Sequence, residues 1–358
     1  MKNIIYFNCN SVSEGENPAI YVANSQQPIC SESGSYTMCI VRASFDRAKI
    51  PVFIPKMQYA NANPLLTAYQ YKIIASVNNT SYNQTGTIQF ANSYGLTAPT
   101  TSPVDQRSVI RNPFYWTYDL NEFINMFNTS MATTWASLQT AAGAYDILTK
   151  PPILVLNDNL FTIYFDNSGF SYDNAHGGAN ENFTISFNTD LKYLLDNLNF
   201  SYQTSNANLF PYVLNFAGVT TTYANPITTK TYLALTQLYR SLSLFSPIEN
   251  VVFMSDVGDY KTDQIGTVNI LGSGSAPPMS NSIESQITDI DLDIDNPMDW
   301  TNMVLYNPTQ YREINIDNTM NINKIKIRLQ WKSRYGDYFD IILKDGSSLN
   351  LKIRFMSE

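Results

Sequence analysis

Charge is scarce in this 358-residue chain: Asp, Glu, Lys and Arg make up 15% of it, against about 25% in typical globular domains. There is one histidine, His176, in the Gly- and Asn-rich stretch DNAHGGANEN. A lone imidazole in such a stretch reads as a solvated loop residue. It excludes His-rich metal sites and leaves acid–base chemistry to carboxylates. The three cysteines, Cys9, Cys30 and Cys39, include no CxxC pair, so buried thiols are expected rather than a metal grip. No apolar run reaches the ~18 residues that a transmembrane helix needs. The apolar stretch in MKNIIYFNCNSVSEGENP is too short for a signal-peptide core, so use in a reducing compartment is expected. GxSxG, the P-loop pattern, GxGxxG and HExxH are all missing, which removes the usual signatures of acyl transfer, phosphate cradling, dinucleotide binding and zinc proteolysis. The expectation is a protein without catalytic residues, cofactor or metal.

What is present points to strands. Hydrophobic residues make up 44% of the chain and there are 24 tyrosines; Tyr and Thr favour strands. The length suggests about two domains. The clearest pattern is KIKIRLQWKSRYGDYFDIILKDGSSLNLKIRF, residues 324–355. Ile325, Ile327, Leu329 and Trp331 alternate with Lys324, Lys326, Arg328 and Gln330, as on a strand with one face buried. After turn chemistry at 333–337, Phe339, Ile341 and Leu343 form a second inward row. Asp345-Gly346 signals a hairpin, and Leu349, Leu351, Ile353 and Phe355 form a third row. The pattern predicts a three-stranded antiparallel meander with one apolar and one cationic face. This segment carries a net +5 inside a chain of net −8. An acidic whole argues against a dedicated nucleic-acid binder, and the basic face is read as a subunit contact, a solvated face or an edge guard.

Further strands are expected at Ile4–Phe7, Ile20–Ala23, Tyr36–Phe45, Tyr69–Val77, Thr87–Phe90, Ile153–Leu156, Leu160–Phe165, Phe183–Phe187 and Val251–Met254. One segment changes period. Leu120, Phe123, Ile124, Phe127, Met131, Trp135 and Leu138 have helical spacing, with Asp119 as N-cap, Glu122 placed for a capping box, and Gly143 beyond the end. A shorter helix is expected from Asp190 to Leu198. Residues 91–107, 218–229 and 272–282 read as loops. Long alternating strands at both ends, with the helix between, predict an antiparallel sandwich built from the two termini around an insertion.

Asp289, Asp291, Asp293 and Asp295 fall at period two, so their carboxylates share one face of an extended segment. Such a row could hold Ca²⁺, but the EF-hand pattern fails, with Ile294 where its glycine belongs. Packing of Ile290, Leu292 and Ile294 explains the alternation equally. The sequons at Asn78, Asn83, Asn128, Asn182 and Asn199 are attributed to high Asn and Thr content.

Two regions resemble a known family. Tyr36, Val41, Arg42, Phe45, Ile50, Pro51 and Phe53 are similar to the N-terminal signature of penton (minor capsid) proteins of virophages and Polinton-like viruses. Ala43-Ser44 departs from it. The closing meander is similar at Tyr311, Arg312, Ile316, Ile325, Trp331, Gly336, Leu343 and Gly346. Between them NPFYWTYDLNEFINMFN, PPILVLNDNLFTIYF and SFNTDLKYLLDNL follow in the family's order.

The resemblance implies a mostly β protein: a single jelly-roll sandwich from residues 1–112 and 250–358, with a β-rich outer insertion at 113–249 holding one or two helices. It implies a homopentamer at the vertices of a small icosahedral double-stranded DNA virus. The neighbours would be trimers of a double jelly-roll major capsid protein and other minor capsid proteins. The insertion would be free to touch a host or helper-virus surface. No specific nucleic acid, cofactor or metal is implied. The location would be the virion, after assembly in the host cytoplasm. The alternative is a β-sandwich attachment or carbohydrate-binding protein.

Overall fold

The computed structural model describes residues 4–29, 35–57, 68–77, 80–143, 150–158, 160–166, 181–203, 209–216, 222–224, 231–239, 241, 246–255, 270–271, 285–292, 303–317 and 322–357. The chain starts with β1 (Ile4–Val12), β2 (Asn17–Pro18), β3 (Ile20–Asn24) and β4 (Ser35–Asp46). A central part follows with β5 (Gln70–Val77), β6 (Thr80–Thr87), α1 (Gln106–Ile110), α2 (Leu120–Ala142), β7 (Ile153–Asn157), β8 (Leu160–Asp166), β9 (Glu181–Phe187) and α3 (Thr189–Leu194). It continues with β10 (Phe200–Tyr202), β11 (Tyr212–Leu214), β12 (Thr222–Ala224) and β13 (Thr231–Thr236). The return brings β14 (Ile248–Ser255), β15 (Ile270–Leu271), β16 (Ser285–Ile290), β17 (Met303–Tyr306) and β18 (Ile314–Asp317). The chain closes with β19 (Lys324–Ser333), β20 (Tyr338–Asp340), β21 (Ile342–Leu343) and β22 (Ser348–Ser357).

Residue contacts gather the chain into two compact units, Met1–Val52 with Ser246–Glu358, and Phe53–Phe245. The boundaries expected from the sequence are 112/113 and 249/250. Residues 53–112 group instead with the central unit, because β5 takes both its partners, β6 and β9, from that unit. Strand alternation carries no mark of which sheet a strand will join.

The first unit is a sandwich. One sheet runs β1-β22-β4-β17, with β18 also on β4. The other runs β3-β19-β14-β16, with β20 sharing the β3 edge of β19. Taking the eight main strands in chain order, with β17 and β18 as one, the first sheet is first-eighth-third-sixth and the second is second-seventh-fourth-fifth. That wrapped antiparallel order is a single jelly roll. Phe45 of the first sheet meets Phe253 of the second edge-to-face at 6.4 Å, and Tyr306 stands 5.9 Å from Phe253. Ile325, Ile327, Leu329, Ile353 and Phe355 are fully buried, each contributing about 1.5–3 kcal/mol.

The expected closing meander is corrected. β19 and β20 do pair, with Trp331 stacked on Phe339 at 4.2 Å. The Asp345-Gly346 turn, with Gly346 at φ +76°, then carries the chain across the sandwich. β22 pairs with β1 on one side and β4 on the other. On β19 the outer edge is already filled by β3 and β20, whereas the gap between β1 and β4 satisfies both edges of β22. The alternation correctly predicted which side chains point inward, but not the partner strands.

In the second unit one sheet runs β10-β11-β9-β5-β6 and another runs β12-β13-β8-β7. Helix α2 packs on both. Trp135 lies 4.7 Å from Phe183 of β9, Phe127 lies 6.3 Å from Tyr71 of β5, and Phe123 lies 6.2 Å from Phe161 of β8. Asp119 caps the helix as expected, but its side chain accepts from Asn121 N rather than completing a capping box with Glu122. Glu122 turns to Tyr94 instead. Gly143 closes the helix at φ +63°. The second helix is Thr189–Leu194 with Asn188 as cap, shorter than expected. A third, α1, begins at the end of the expected loop 91–107, capped by Asp105. The strand expected at Thr87–Phe90 lies earlier, at β6, whose TSYNQTGT has no apolar alternation because it ends its sheet. Loop 272–282 and His176 lie outside the described residues.

Candidate functional site

The change of sheet divides the cationic side chains of the C-terminal segment. Lys324, Lys326, Arg328 and Lys332 stand on β19, whereas Lys352 and Arg354 stand on β22 in the facing sheet. Most of these charges are answered nearby. Lys332 Nζ lies 2.8 Å from Glu249 Oε2, and that hydrogen bond raises the ammonium pKa. Gln330 Nε2 donates to Asp340 at 2.9 Å, and Arg328 Nε is 4.0 Å from the same carboxylate. Arg354 donates to Glu313 and lies 5.1 Å from the Tyr311 ring. Lys352 Nζ stands 4.6 Å from the Tyr6 ring, a favourable cation–π distance. The expected single cationic face is therefore two separate rows, in which Arg328, Lys332 and Arg354 stand against carboxylates and Lys352 against a ring.

The first sheet's outer face offers something else. In register, Ile5, Phe7 and Cys9 oppose the buried Phe355, Ile353 and Leu351, so alternation sends Ile4, Tyr6 and Val12 outward. On the opposite edge Val304 and Tyr306 oppose Phe45 and Ala43, which sends Met303 and Leu305 outward. Val12 is 61% exposed and Leu305 73%. β1 and β17 each end the sheet. Both lateral edges thus carry large exposed apolar side chains and backbone groups of the kind that pair with another chain. Between them runs a charged band of Arg42, Lys352, Arg354 and Glu313. A row of apolar residues on two opposite edges is a surface built for contact.

The acidic row is only partly described. Asp289 receives Arg312 Nη1 at 3.2 Å and Asn250 Nδ2 at 3.3 Å, Asp291 is exposed, and Asp293 and Asp295 lie outside the described residues. Asp289 and Asp291 are exposed while Ile290 and Leu292 are half-buried, so residues 289–292 alternate as packing requires; the fully buried Ile287 lies at a register break with β14 that shifts the alternation before them. Cys9 and Cys39 are buried free thiols. Burial pushes the Cys9 thiol up from 9.0 to about 12 despite a hydrogen bond with Tyr21, and also raises Cys39. Cys30 lies outside the described residues. Of the sequons, Asn128 is committed internally: its amide donates to Leu154 O at 2.9 Å and accepts from Leu154 N at 2.8 Å.

Sequence reasoning missed the β17 edge. MVLY is a four-residue apolar run, too short for alternation to show that half of it faces outward. On β1 it anticipated only Ile4–Phe7, because NCNSV lacks regular alternation.

Comparison with known proteins places this arrangement. Residues 2–357 match the family model of the Sputnik minor capsid protein V18/19. A Sputnik virophage protein described as "Uncharacterized protein V18" is 31% identical over 135 residues, which cover 37% of this chain and 79% of that protein. A chain in the cryo-EM structure of the Sputnik virophage superposes with TM-score 0.71 at 20% identity, over 99% of this chain and 98% of its own. The mavirus penton protein superposes with TM-score 0.59 at 15% identity, over 99% of this chain and all of its own. A jelly roll with exposed apolar sheet edges, aligned end to end with such chains, is a structural protein of a virus capsid. It is mostly β, with few helices and antiparallel sheets. The chain belongs to the Sputnik minor capsid protein V18/19 family, and its place is the virion.

Proposed function

We propose that the chain forms the vertex capsomer, a closed ring of five identical copies. The observation that carries this is the pair of apolar edges on one sheet, Ile4, Tyr6 and Val12 on β1 and Met303 and Leu305 on β17. A ring of five needs two different, mutually fitting surfaces on each copy, because a patch that fits itself gives only pairs, and head-to-tail contacts close when the rotation between copies does. Edge β1 of one copy meets edge β17 of the next. The charged band between them, where Arg354 meets Glu313 and Arg42 and Lys352 add positive charge, sets lateral register. Around the ring stand trimers of the major capsid protein and other minor capsid proteins. The Phe53–Phe245 unit faces outward, toward a host or helper-virus surface. Assembly takes place in the host cytoplasm, without recognition of a particular nucleic acid. The mavirus penton likeness supports this reading.

Analytical ultracentrifugation of the purified protein tests it. The expected result is a five-copy species in concentration-dependent exchange with monomer, shifted to monomer by Leu305→Asp with the fold kept by circular dichroism. A wild-type protein that stays monomeric at every concentration, alone and with the major capsid protein, would refute the proposal.

A further inference from the structure

In the second unit, one face of the β10-β11-β9-β5-β6 sheet changes character from end to end. A single cross-strand row links Tyr202, Tyr212, Phe187, Tyr71 and Gly86, and directly paired residues share a face. At one end Tyr71 is fully buried, its hydroxyl 2.9 Å from both Ser130 and Thr134 of α2. Phe187 is buried too. At the other end the cover stops, and Tyr202 is 63% exposed. The open part is lined by aromatic rings. Tyr202 and Tyr212 are 5.5 Å apart at 56°, and Phe200 is 6.4 Å from Tyr212. Beside them α3 contributes Tyr193, 56% exposed. Lys192 Nζ lies 5.0 Å from the Tyr193 ring and 5.6 Å from the Tyr212 ring, and 2.7 Å from Asp196 Oδ1.

We propose that this tyrosine platform binds a neutral carbohydrate chain. Pyranose rings present a face of C–H groups with partial positive charge, which fits the negative π faces of Tyr202 and Tyr212. Their rims present hydroxyls, which both donate and accept. Lys192 and Asp196, fixed side by side, supply donors and acceptors at the platform's margin. Two alternatives fit less well. A nucleic acid would need several free cations, and the cation here, Lys192, is already held by Asp196. A second protein would need about 800 Å² per partner, whereas these four rings, with Tyr202 63% and Tyr193 56% exposed and Tyr212 and Phe200 half-buried, offer less than that from side chains of ~150–250 Å² each. The proposal deepens the outward role assigned above to the Phe53–Phe245 unit. Several copies per ring would turn weak single-site binding into avidity.

The test uses the purified full-length chain on an array of neutral and acidic glycans, followed by saturation-transfer NMR with cellohexaose, chitohexaose and mannohexaose. Neutral glycans are expected to bind. Tyr202→Ala should weaken binding by about tenfold or more, equivalent to one factor of ten in Kd, while Tyr202→Phe, which keeps the ring, should leave it intact. Absence of binding to any glycan, or full binding by Tyr202→Ala, would overturn the proposal. So would a sedimentation shift in which Tyr202→Ala abolishes self-association, because the platform would then be a protein interface. Ring formation is read separately through Leu305→Asp, so failure of one reading leaves the other standing.

Discussion

Replacing Gly86 with alanine puts a methyl group where the structure has no room. A Cβ there would lie 2.2 Å from Tyr71 Cζ, 2.3 Å from Tyr71 Oη and 2.5 Å from Thr134 Oγ1; carbon atoms at rest stand ~3.5–4.0 Å apart. The ring must therefore retreat by more than 1 Å. Tyr71 is fully buried and its hydroxyl is tied to Ser130 and Thr134. Ser130 in turn donates to Thr87 O at 2.8 Å, so strand and helix are laced together around the glycine. Overpacking costs about 1–3 kcal/mol. Losing one or both Tyr71 hydrogen bonds adds about 0.5–1.5 kcal/mol each. Lower backbone entropy in the unfolded chain returns only about 0.5–1 kcal/mol, so the clash wins, with a net loss of roughly 2–4 kcal/mol. At ~2–4 °C per kcal/mol for a unit of this size, thermal unfolding should fall by roughly 5–15 °C. A double-mutant cycle with Tyr71→Ala, which clears the space, should show a coupling of at least ~1 kcal/mol. A Gly86→Ala protein that melts with the wild type would refute the packing argument.

Two further outcomes follow from side chains already placed. Asn128→Ala strips both backbone groups of the buried Leu154 of their α2 partner, so denaturant unfolding should show a loss of about 2–4 kcal/mol; an unchanged midpoint would show that water replaces the amide freely. Cys9 has its thiol pKa raised from 9.0 to about 12, so its contribution is complete below pH 9 and is lost as pH rises toward 12, because only the unfolded chain ionises there. Cys9→Ala should therefore lose stability less steeply than wild type between those pH values, and identical slopes in urea titrations would count against burial as the cause.

Which faces point inward can be read from the order of residues alone. The alternation in β19 and β22, the helical spacing of Phe123, Phe127, Met131 and Trp135, and the Asp119 and Gly143 ends of α2 were all legible. These depend only on strand and helix period and on local capping. The resemblance at Tyr36–Phe53 and in the closing strands pointed to the right family for the same local reason. The tertiary structure alone decided partnership. Nothing in SLNLKIRF states that it lies between β1 and β4 instead of beside β20, because hydrogen-bonding edges are identical in every strand and are assigned by which gaps remain. Nor could TSYNQTGT be read as a strand, since its order comes from pairing with β5. The apolar edges at Leu305 and Val12 and the open tyrosines at 193 and 202 became visible only once their neighbours were known, because exposure is a property of the assembled sheet and not of the residue.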